Sequence, residues 1–270
     1  MSEVLFNGHA GRLEGRYHQS DKPGAPIALI LHPHPQYGGT MNNKVVYSLF
    51  SCFEKLGFSV LRFNFRSVGR SQGEFEDGPG ELSDATVALD WLQSVNPEAR
   101  QCWIAGYSFG AWIGLQLLMR RPDINNFIAV SPPANEKDFS FLAPCPTSGL
   151  IVQGGQDEIV NPQSVAVMAK RLNTQRNVEV DFALIEEGDH MYNNHLVDLY
   201  KIVGNYIIGA MQKKTPQKKR RGRRRKSELE AGEGENLLLA NEVDNDDLEN
   251  DDLENEDMDF DDGLDDEEEE

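Results

Sequence analysis

Cysteine is scarce in this chain. Its 270 residues include three cysteines, Cys52, Cys102 and Cys145, whose odd number and scattered positions are incompatible with a disulfide framework. Unpaired thiols are typical of proteins in a reducing compartment, so we expect a cytoplasmic protein.

Long hydrophobic stretches are absent as well. No apolar run approaches the roughly 18 residues that a membrane-spanning helix requires. Residues 1–16 lack the basic segment and following apolar segment of a signal peptide. The sequence therefore predicts neither a membrane span nor a secretion signal, and we expect a soluble protein.

Positive charge is in deficit, with 26 lysines and arginines against 45 acidic residues. The composition changes abruptly after Met211: residues 213–226 are strongly basic, and residues 228–270 are acidic and nearly free of aromatic residues. Such a segment cannot bury enough apolar surface to offset the entropy that it would lose on ordering. We predict one folded domain over residues 1–211 and a disordered tail over residues 212–270.

The tail carries both a basic run and its own acidic counterpart. Eight of the nine residues from Lys218 to Lys226 are cationic, which is an electrostatic footprint for nucleic acid, an acidic protein or an anionic membrane. In a nucleated cell the same run fits a nuclear import signal. Tethered acids compete with an external polyanion at high local concentration. We hypothesise that the acidic segment masks the basic one. The alternative is a solvated tail that only adds solubility.

Truncation after Ser227 is therefore expected to create salt-sensitive binding to DNA or RNA that the full-length chain lacks, with the activity of the domain unchanged. Fluorescence anisotropy titrations at low and high salt would measure this binding. Equal binding by both chains at low salt, or binding by neither, would contradict masking.

Strands and helices alternate regularly along the remainder of the chain. A continuous apolar run such as residues 26–31 is typical of a strand that is buried on both faces of a parallel sheet. The order predicts βαβ crossovers, a mainly parallel sheet, and chemistry at the carboxyl ends of its strands. The predicted strands are residues 26–31, 59–65, 101–107, 126–131, 148–152 and 178–185, after a hairpin over 4–8 and 12–19; the predicted helices are residues 43–56, 81–95, 109–119, 162–172 and 193–211.

A G-x-S-x-G motif lies between the strand at residues 101–107 and a helix that is apolar almost all round. It reads Gly106-Tyr107-Ser108-Phe109-Gly110. A strand, a sharp turn and a helix form the context in which this motif exposes a nucleophilic serine above a sheet. We predict Ser108 as the nucleophile and the Phe109 N–H as one donor to an oxyanion. The alternative is a glycine-rich turn with a capping serine.

A serine nucleophile needs a base and an acid, and in α/β hydrolases the acid and then the histidine follow the serine along the chain. Of six histidines, His190 alone both follows the serine and directly succeeds a predicted strand. Asp157 follows an apolar strand and two glycines and is the predicted acid, with Glu158 as the runner-up. Asp189 adjoins His190 in sequence, so its carboxylate would reach the ring poorly.

Two other segments carry a family resemblance. Residues 31–46 (LHPHPQYGGTMNNKVV) and 63–73 (FNFRSVGRSQG) resemble a bacterial subgroup of α/β hydrolases related to dienelactone hydrolase, with Ser67 where many members have glycine. The resemblance runs over residues 1–211 and implies an α/β-hydrolase fold, with a mainly parallel sheet flanked by helices. Residues 132–147 are the one candidate for a lid, so we expect a minimal lid.

The resemblance also implies a second oxyanion donor in the loop after the first parallel strand. Pro33 and Pro35 have no N–H group. His34 is the preferred donor because it stands two residues after the strand-end His32, and Gln36 is the runner-up. The residues predicted to contact substrate are Gly38, Gly39 and Tyr107.

Two residue pairs have alternative interpretations. His32 and His34 are spaced so that they can chelate a metal, but no further histidine or acid follows at a short spacing, so we predict no metal and no cofactor. Arg66 and Arg70 fit either an acidic substrate group or structural ion pairs, and the ion pairs are favoured. The partners expected for these arginines are Glu81 and Asp84.

The predicted function is that of a serine hydrolase acting on a small-molecule acyl substrate. It would cleave a small ester, thioester or related acyl bond through an acyl-enzyme, as a carboxylesterase or thioesterase rather than as a peptidase. The alternative is a non-catalytic scaffold or binding module that acts through its charged tail, because a fold by itself does not establish a function.

Overall fold

A computed structural model of the protein describes residues 1–176 and 178–213. From position 214 onward the predicted tail, with most of its basic block and all of its acidic segment, lies outside the described residues. The predictions made for it therefore stay predictions. Within the described ranges, no helix combines the length and the apolar character that crossing a bilayer would require.

An eight-stranded sheet forms the centre of the described structure. Its order is β1-β2-β4-β3-β5-β6-β7-β8, and the pairs β1–β2 and β2–β4 are antiparallel while all other neighbours are parallel. The opening hairpin is thus an antiparallel edge on a parallel sheet. The strands are β1 (Ser2–Gly8), β2 (Gly11–His18), β3 (Ile27–Leu31), β4 (Ser59–Phe63), β5 (Cys102–Tyr107), β6 (Ile124–Val130), β7 (Gly149–Gly154) and β8 (Val180–Ile185).

Helices cover both faces of this sheet. Those of the described residues are α1 (Lys44–Lys55), α2 (Pro79–Ser94), α3 (Phe109–Leu118), α4 (Pro162–Leu172) and α5 (Leu196–Lys213). Helices α1 and α5 form one core with strand residues such as Ile30 and Trp103, and α2, α3 and α4 form the other with residues such as Leu29 and Ile104. Because both faces are covered, β3, β4, β5 and β7 are buried along their whole length.

Local signals set the beginnings of the helices. The side chain of Asn43 caps α1 by accepting a hydrogen bond from the Val45 N–H at 2.9 Å. Helix α2 begins two residues before its predicted start, because Pro79 is preorganised for the first helical turn. The Glu81 carboxylate stabilises that turn by accepting a hydrogen bond from the Gly78 N–H at 2.7 Å.

The architecture confirms the predicted α/β-hydrolase fold, a mainly parallel sheet flanked by helices. Residues 132–147 contain one short 3₁₀ turn, Ser140–Leu142, which agrees with the predicted minimal lid. Every element end lies within three residues of its predicted position, and α4 matches its prediction at both ends.

The two arginines after β4 form ion pairs, though only one of them with an expected partner. The buried Arg66 binds Asp84 as predicted, with Nη2 2.8 Å from Oδ1 and Nε 3.0 Å from Oδ2. The prediction for Arg70 was wrong: it pairs with Glu14, at 3.0 Å from Nε to Oε2, and with Glu3. The antiparallel pairing of β2 with β4 brings Glu14 beside the chain that leaves β4.

Candidate active site

Ser108 occupies a single-residue turn between β5 and α3. Its φ of 53° and ψ of −119° are a conformation that a non-glycine residue adopts only under strain. The turn is held because the Ser108 N–H donates to the Val130 carbonyl at 2.8 Å and the Ser108 carbonyl accepts from the Ala111 N–H at 2.9 Å. Among the described residues the half-buried Ser108 has no hydrogen-bond partner for its hydroxyl, and the ring of His190 is not within hydrogen-bond distance of it.

The glycines of the motif are required by close backbone approaches. A Cβ atom at Gly106 would lie 2.3 Å from the Gly110 carbonyl oxygen, and a Cβ atom at Gly110 would lie 2.4 Å from the Leu31 carbonyl oxygen. Only glycine leaves room for such contacts. The start of α3 therefore packs directly on the ends of β3 and β5, which lifts Ser108 to the carboxyl edge of the sheet.

Asp157 lies on the loop after β7, and its carboxylate is fully hydrogen-bonded. Oδ1 accepts from the N–H groups of Ile159 at 3.0 Å and Val160 at 2.7 Å. Oδ2 accepts from Gln153 Nε2 at 2.9 Å and lies 2.8 Å from His190 Nδ1. Both oxygens are thus held in place in a buried position.

Backbone contacts between two loops bring His190 to Asp157. The Gln156 N–H donates to the Gly188 carbonyl at 2.9 Å, and the Gly155 N–H donates to the Ile185 carbonyl at 2.8 Å. A Cβ atom at Gly155 would lie 2.3 Å from the Glu186 carbonyl oxygen, so this position also needs glycine. The loop after β7 and the loop after β8 are consequently fixed against each other.

The environment of Asp157 favours its ionised form. Burial alone would raise the pKa of its carboxyl, but hydrogen bonds from His190, the Val160 N–H and Gln153 outweigh burial and hold the pKa below its ordinary value. An ionised Asp157 can only accept, so the proton shared with His190 sits on Nδ1. In the neutral ring Nε2 is then the acceptor, as a general base requires.

The other two acids considered from the sequence lie apart from the histidine ring. Glu158 is exposed. Asp189 caps a turn instead: its Oδ1 accepts from the Asn193 N–H at 2.7 Å and its Oδ2 accepts from Asn193 Nδ2 at 2.6 Å. Of these acids it is Asp157 that the structure places against His190.

The loop after β3 brings His34 to the start of α3. The His34 and Phe109 rings lie 5.0 Å apart between centroids. Among the described residues the backbone N–H groups of His34 and Phe109 have no hydrogen-bond partner. The Gln36 N–H donates to His34 Nδ1 at 3.2 Å, so the runner-up donor is already engaged.

Two predicted substrate contacts have other roles. A Cβ atom at Gly39 would lie 2.2 Å from the Pro33 carbonyl oxygen, so Gly39 is buried against its own loop and does not face open space. Tyr107 is 1% exposed and its hydroxyl donates to the His190 carbonyl at 2.7 Å, so it supports the histidine loop from inside the core. Gly38 is exposed, with a φ of 74°.

Both ring nitrogens of His32 lie within hydrogen-bond distance of backbone groups. Nε2 accepts from the Phe65 N–H at 3.0 Å and Nδ1 lies 2.7 Å from the Pro33 carbonyl oxygen. Burial lowers the pKa of His32 to about 3. His32 therefore anchors the loop that carries His34.

Comparison with known proteins places this geometry in a family. The model of the X-Pro dipeptidyl-peptidase (S15) family matches residues 16–178. A crystal structure of a protein of unknown function from Agrobacterium tumefaciens, described as an α/β hydrolase, is 53% identical with a TM-score of 0.77, over 79% of this chain and 98% of that one. The chain belongs to the S15 family of α/β hydrolases.

Other relatives support the same assignment. An uncharacterised protein of Rickettsia prowazekii is 50% identical over 212 residues, which are 77% of this chain and 89% of that protein. An α/β serine hydrolase without a lid from Xanthomonas campestris is 30% identical with a TM-score of 0.69, over 77% of this chain and 94% of that one. The protein is thus a hydrolase of the α/β serine hydrolase type, while the resemblance to the dienelactone hydrolase subgroup stays a prediction.

An aromatic wall, which the sequence did not predict, lies around Phe109, the residue that follows Ser108. Besides Phe109, the His34 ring contacts Tyr37 and Phe75, at centroid distances of 4.7 and 4.9 Å. Trp112 continues the wall from α3, 5.6 Å from Phe109 between centroids. Sequence reasoning missed these residues because their separation in the chain gives no sign of contact.

Gln153 is another residue of the site that sequence reasoning missed. It is completely buried near the end of β7, in the otherwise apolar or glycine segment GLIVQG. A polar side chain inside a strand that is buried on both faces is the signal that could have drawn attention to it.

Proposed function

We propose that Ser108, His190 and Asp157 form a catalytic triad that cleaves a small ester, thioester or related acyl bond. The observation that carries the proposal is the strained turn at Ser108, whose φ of 53° sets a half-buried serine with an unpaired hydroxyl at the carboxyl edge of the sheet. The buried His190–Asp157 pair, 2.8 Å apart on the same edge, supports it. Strain at a non-glycine residue is characteristic of functional sites.

The mechanism follows from these roles. Ser108 Oγ attacks the carbonyl carbon of the substrate while His190 Nε2 takes its proton, and Asp157 stabilises the imidazolium that forms. The N–H groups of Phe109 and His34 bind the oxyanion, a contribution of about 10²–10³-fold in rate for one donor. The intermediate expels the alcohol or thiol with the proton from His190. Water then hydrolyses the acyl-enzyme by the same route.

The surroundings of Ser108 favour small acyl groups with an apolar part. The aromatic wall offers apolar surface beside Ser108, because Tyr37 is exposed and His34, Phe75 and Trp112 are half-buried, whereas Phe109 is buried. Exposed apolar side chains also adjoin the acid and the base, namely Ile159 and Met191. With residues 132–147 too short for a cap domain, the site stays accessible from solvent.

Peptidase activity is the second candidate, because the matching family model describes X-Pro dipeptidyl-peptidases. A panel of p-nitrophenyl acetate, butyrate and benzoate, an acyl thioester, and the p-nitroanilides of Ala-Pro and Ala-Ala separates the two. We expect turnover of the esters and thioester, and no preference for Ala-Pro over Ala-Ala. A strong preference for Ala-Pro anilide would favour the peptidase instead.

A non-catalytic scaffold predicts a different result. In that case every substrate in the panel would be hydrolysed no faster by the wild type than by a Ser108→Ala variant. If the wild type hydrolyses a substrate that the Ser108→Ala variant does not, the domain is more than a non-catalytic scaffold.

A further inference from the structure

Gln153 is a buried amide next to the proposed catalytic acid. It is the fifth residue of β7, and its side chain is completely buried. A parallel strand that is buried on both faces is normally apolar throughout, because a polar group there must find partners inside the protein. The glutamine therefore needs a reason beyond the formation of the strand.

Within the described residues, each hydrogen bond of the Gln153 amide nitrogen goes to an acceptor around Asp157. Nε2 lies 2.9 Å from Asp157 Oδ2, 3.1 Å from the Gly154 carbonyl oxygen and 3.3 Å from the Val160 carbonyl oxygen. Since these oxygens can only accept, the nitrogen of the amide must face them. The chemistry of the neighbours thus fixes the orientation of the amide.

The oxygen of the Gln153 amide, in contrast, lacks a hydrogen-bond donor among the described residues. Gln153 Oε1 is buried and has no hydrogen-bond partner within the described part of the chain. A buried acceptor without a partner lowers the stability of a protein. Methionine would occupy a similar volume without a polar atom, so the fold alone would favour an apolar side chain. The hydrogen bond to Asp157 therefore explains why this position holds a glutamine and not an apolar residue.

We infer that Gln153 is a positioning residue for the hydrolytic reaction, holding Asp157 Oδ2 in line with the Nδ1–H group of His190. The inference rests on the proposed triad. The N–H groups of Ile159 and Val160 hold Asp157 Oδ1, and Gln153 holds Oδ2, the oxygen that meets His190. With both oxygens held, the carboxylate cannot rotate, and the imidazole keeps its orientation through the catalytic cycle.

Gln153→Met tests this role, because it removes the donor and keeps the volume. We expect kcat for p-nitrophenyl butyrate to fall about tenfold with little change in KM. The substitution would loosen the orientation of the Asp157 carboxylate and of the imidazole, but it would leave the contacts with the substrate in place. The rate of fluorophosphonate labelling should fall in parallel. Thermal unfolding should show a folded protein with a midpoint close to that of the wild type, because the loss of the hydrogen bonds from Nε2 is offset in part by removal of the unsatisfied oxygen.

The pH profile distinguishes positioning from packing. The hydrogen bond from Gln153 is among the contacts that lower the pKa of Asp157, so its removal raises the pKa of that carboxyl. A carboxylate that Gln153 no longer stabilises binds the proton that it shares with the imidazole more tightly, so the acid limb of kcat/KM, which reports loss of the free base, should move to higher pH. The other titratable groups that face Asp157 are His190, Tyr107 and Tyr192, with Asp189 close to the two tyrosines. Burial raises the pKa of both tyrosines, so they stay neutral across the acid limb.

Asn126→Leu is the matched control. Asn126 is a buried amide on the neighbouring strand β6, its Nδ2 also lacks a partner among the described residues, and it lies near the strand end opposite to the active site. The substitution likewise replaces an unsatisfied buried amide by an apolar group. Its kinetic constants and pH profile should match those of the wild type.

The outcomes separate this inference from the proposed function. Wild-type kcat and an unmoved acid limb in Gln153→Met, beside an inactive Ser108→Ala, would overturn the role of Gln153 and leave the triad intact. Activity in Ser108→Ala would instead overturn the triad. If Gln153→Met fails to fold, Gln153→Glu carries the test: its activity relative to the wild type should decline as pH rises, because two adjacent carboxylates repel. A constant ratio would contradict positioning.

Discussion

Ser108→Ala should lower kcat for a p-nitrophenyl ester by about 10⁴–10⁶-fold, the largest effect expected of any single substitution in this protein. The variant lacks the atom that attacks the substrate, so only oxyanion stabilisation and substrate binding would remain. Alanine carries a Cβ atom as serine does, so the strained turn with its φ of 53° can be kept. Initial rates and the thermal unfolding midpoint, measured together, would separate lost chemistry from lost folding.

A second serine provides the control. Ser131 also has a positive φ, of 43°, and follows the neighbouring strand β6, but its hydroxyl is buried and lies 2.9 Å from the Tyr192 hydroxyl. Ser131→Ala should leave kcat in the same order of magnitude as the wild type. Comparable losses in the two variants would show that the site depends on its architecture and not on a nucleophile at position 108.

Asp157→Asn should lower kcat by about 10⁴-fold while KM changes little. An amide cannot stabilise the imidazolium, and its NH₂ group would favour the tautomer of His190 in which Nε2 carries the proton and cannot act as a base. The same NH₂ group would face the donor Gln153 Nε2, 2.9 Å from Oδ2 in the wild type, so a modest loss of stability should accompany the kinetic effect. Steady-state kinetics and thermal unfolding would measure the two effects.

Asp189→Asn is the matched control for this substitution. Asp189 adjoins His190 in sequence, but its carboxylate binds Asn193, so its removal should loosen a turn without changing the tautomer of the imidazole. A greater loss of activity in Asp189→Asn than in Asp157→Asn would show that Asp157 is not the acid of the triad.

The positions of the main elements were predictable because the relevant signals are local. Apolar runs such as residues 26–31 identify strands that are buried on both faces, and glycines at positions 106 and 110 identify a strand and a helix in close contact. The order of elements then limits the topology to a few right-handed arrangements. From these rules alone Ser108, Asp157 and His190 are expected on one edge of the sheet.

The remaining features depend on contacts between distant parts of the chain. Arg70 and its partner Glu14 are 56 positions apart in sequence, and the pairing of β2 with β4 brings them together. The support that Tyr107 gives to the His190 carbonyl links β5 to the loop after β8. The aromatic wall joins three segments that are separate in sequence. No periodicity or motif encodes such pairings, so they emerge only from the packed structure.

Mapping the site of a fluorophosphonate adduct tests the central claim most directly. The probe reacts covalently with a serine that a neighbouring base has activated, and peptide mass spectrometry would locate it. We predict one adduct, on the peptide that contains Ser108, and its loss in both Ser108→Ala and heat-denatured wild type. An adduct on another residue, or equal labelling of wild type and Ser108→Ala, would contradict the assignment of Ser108 as the nucleophile.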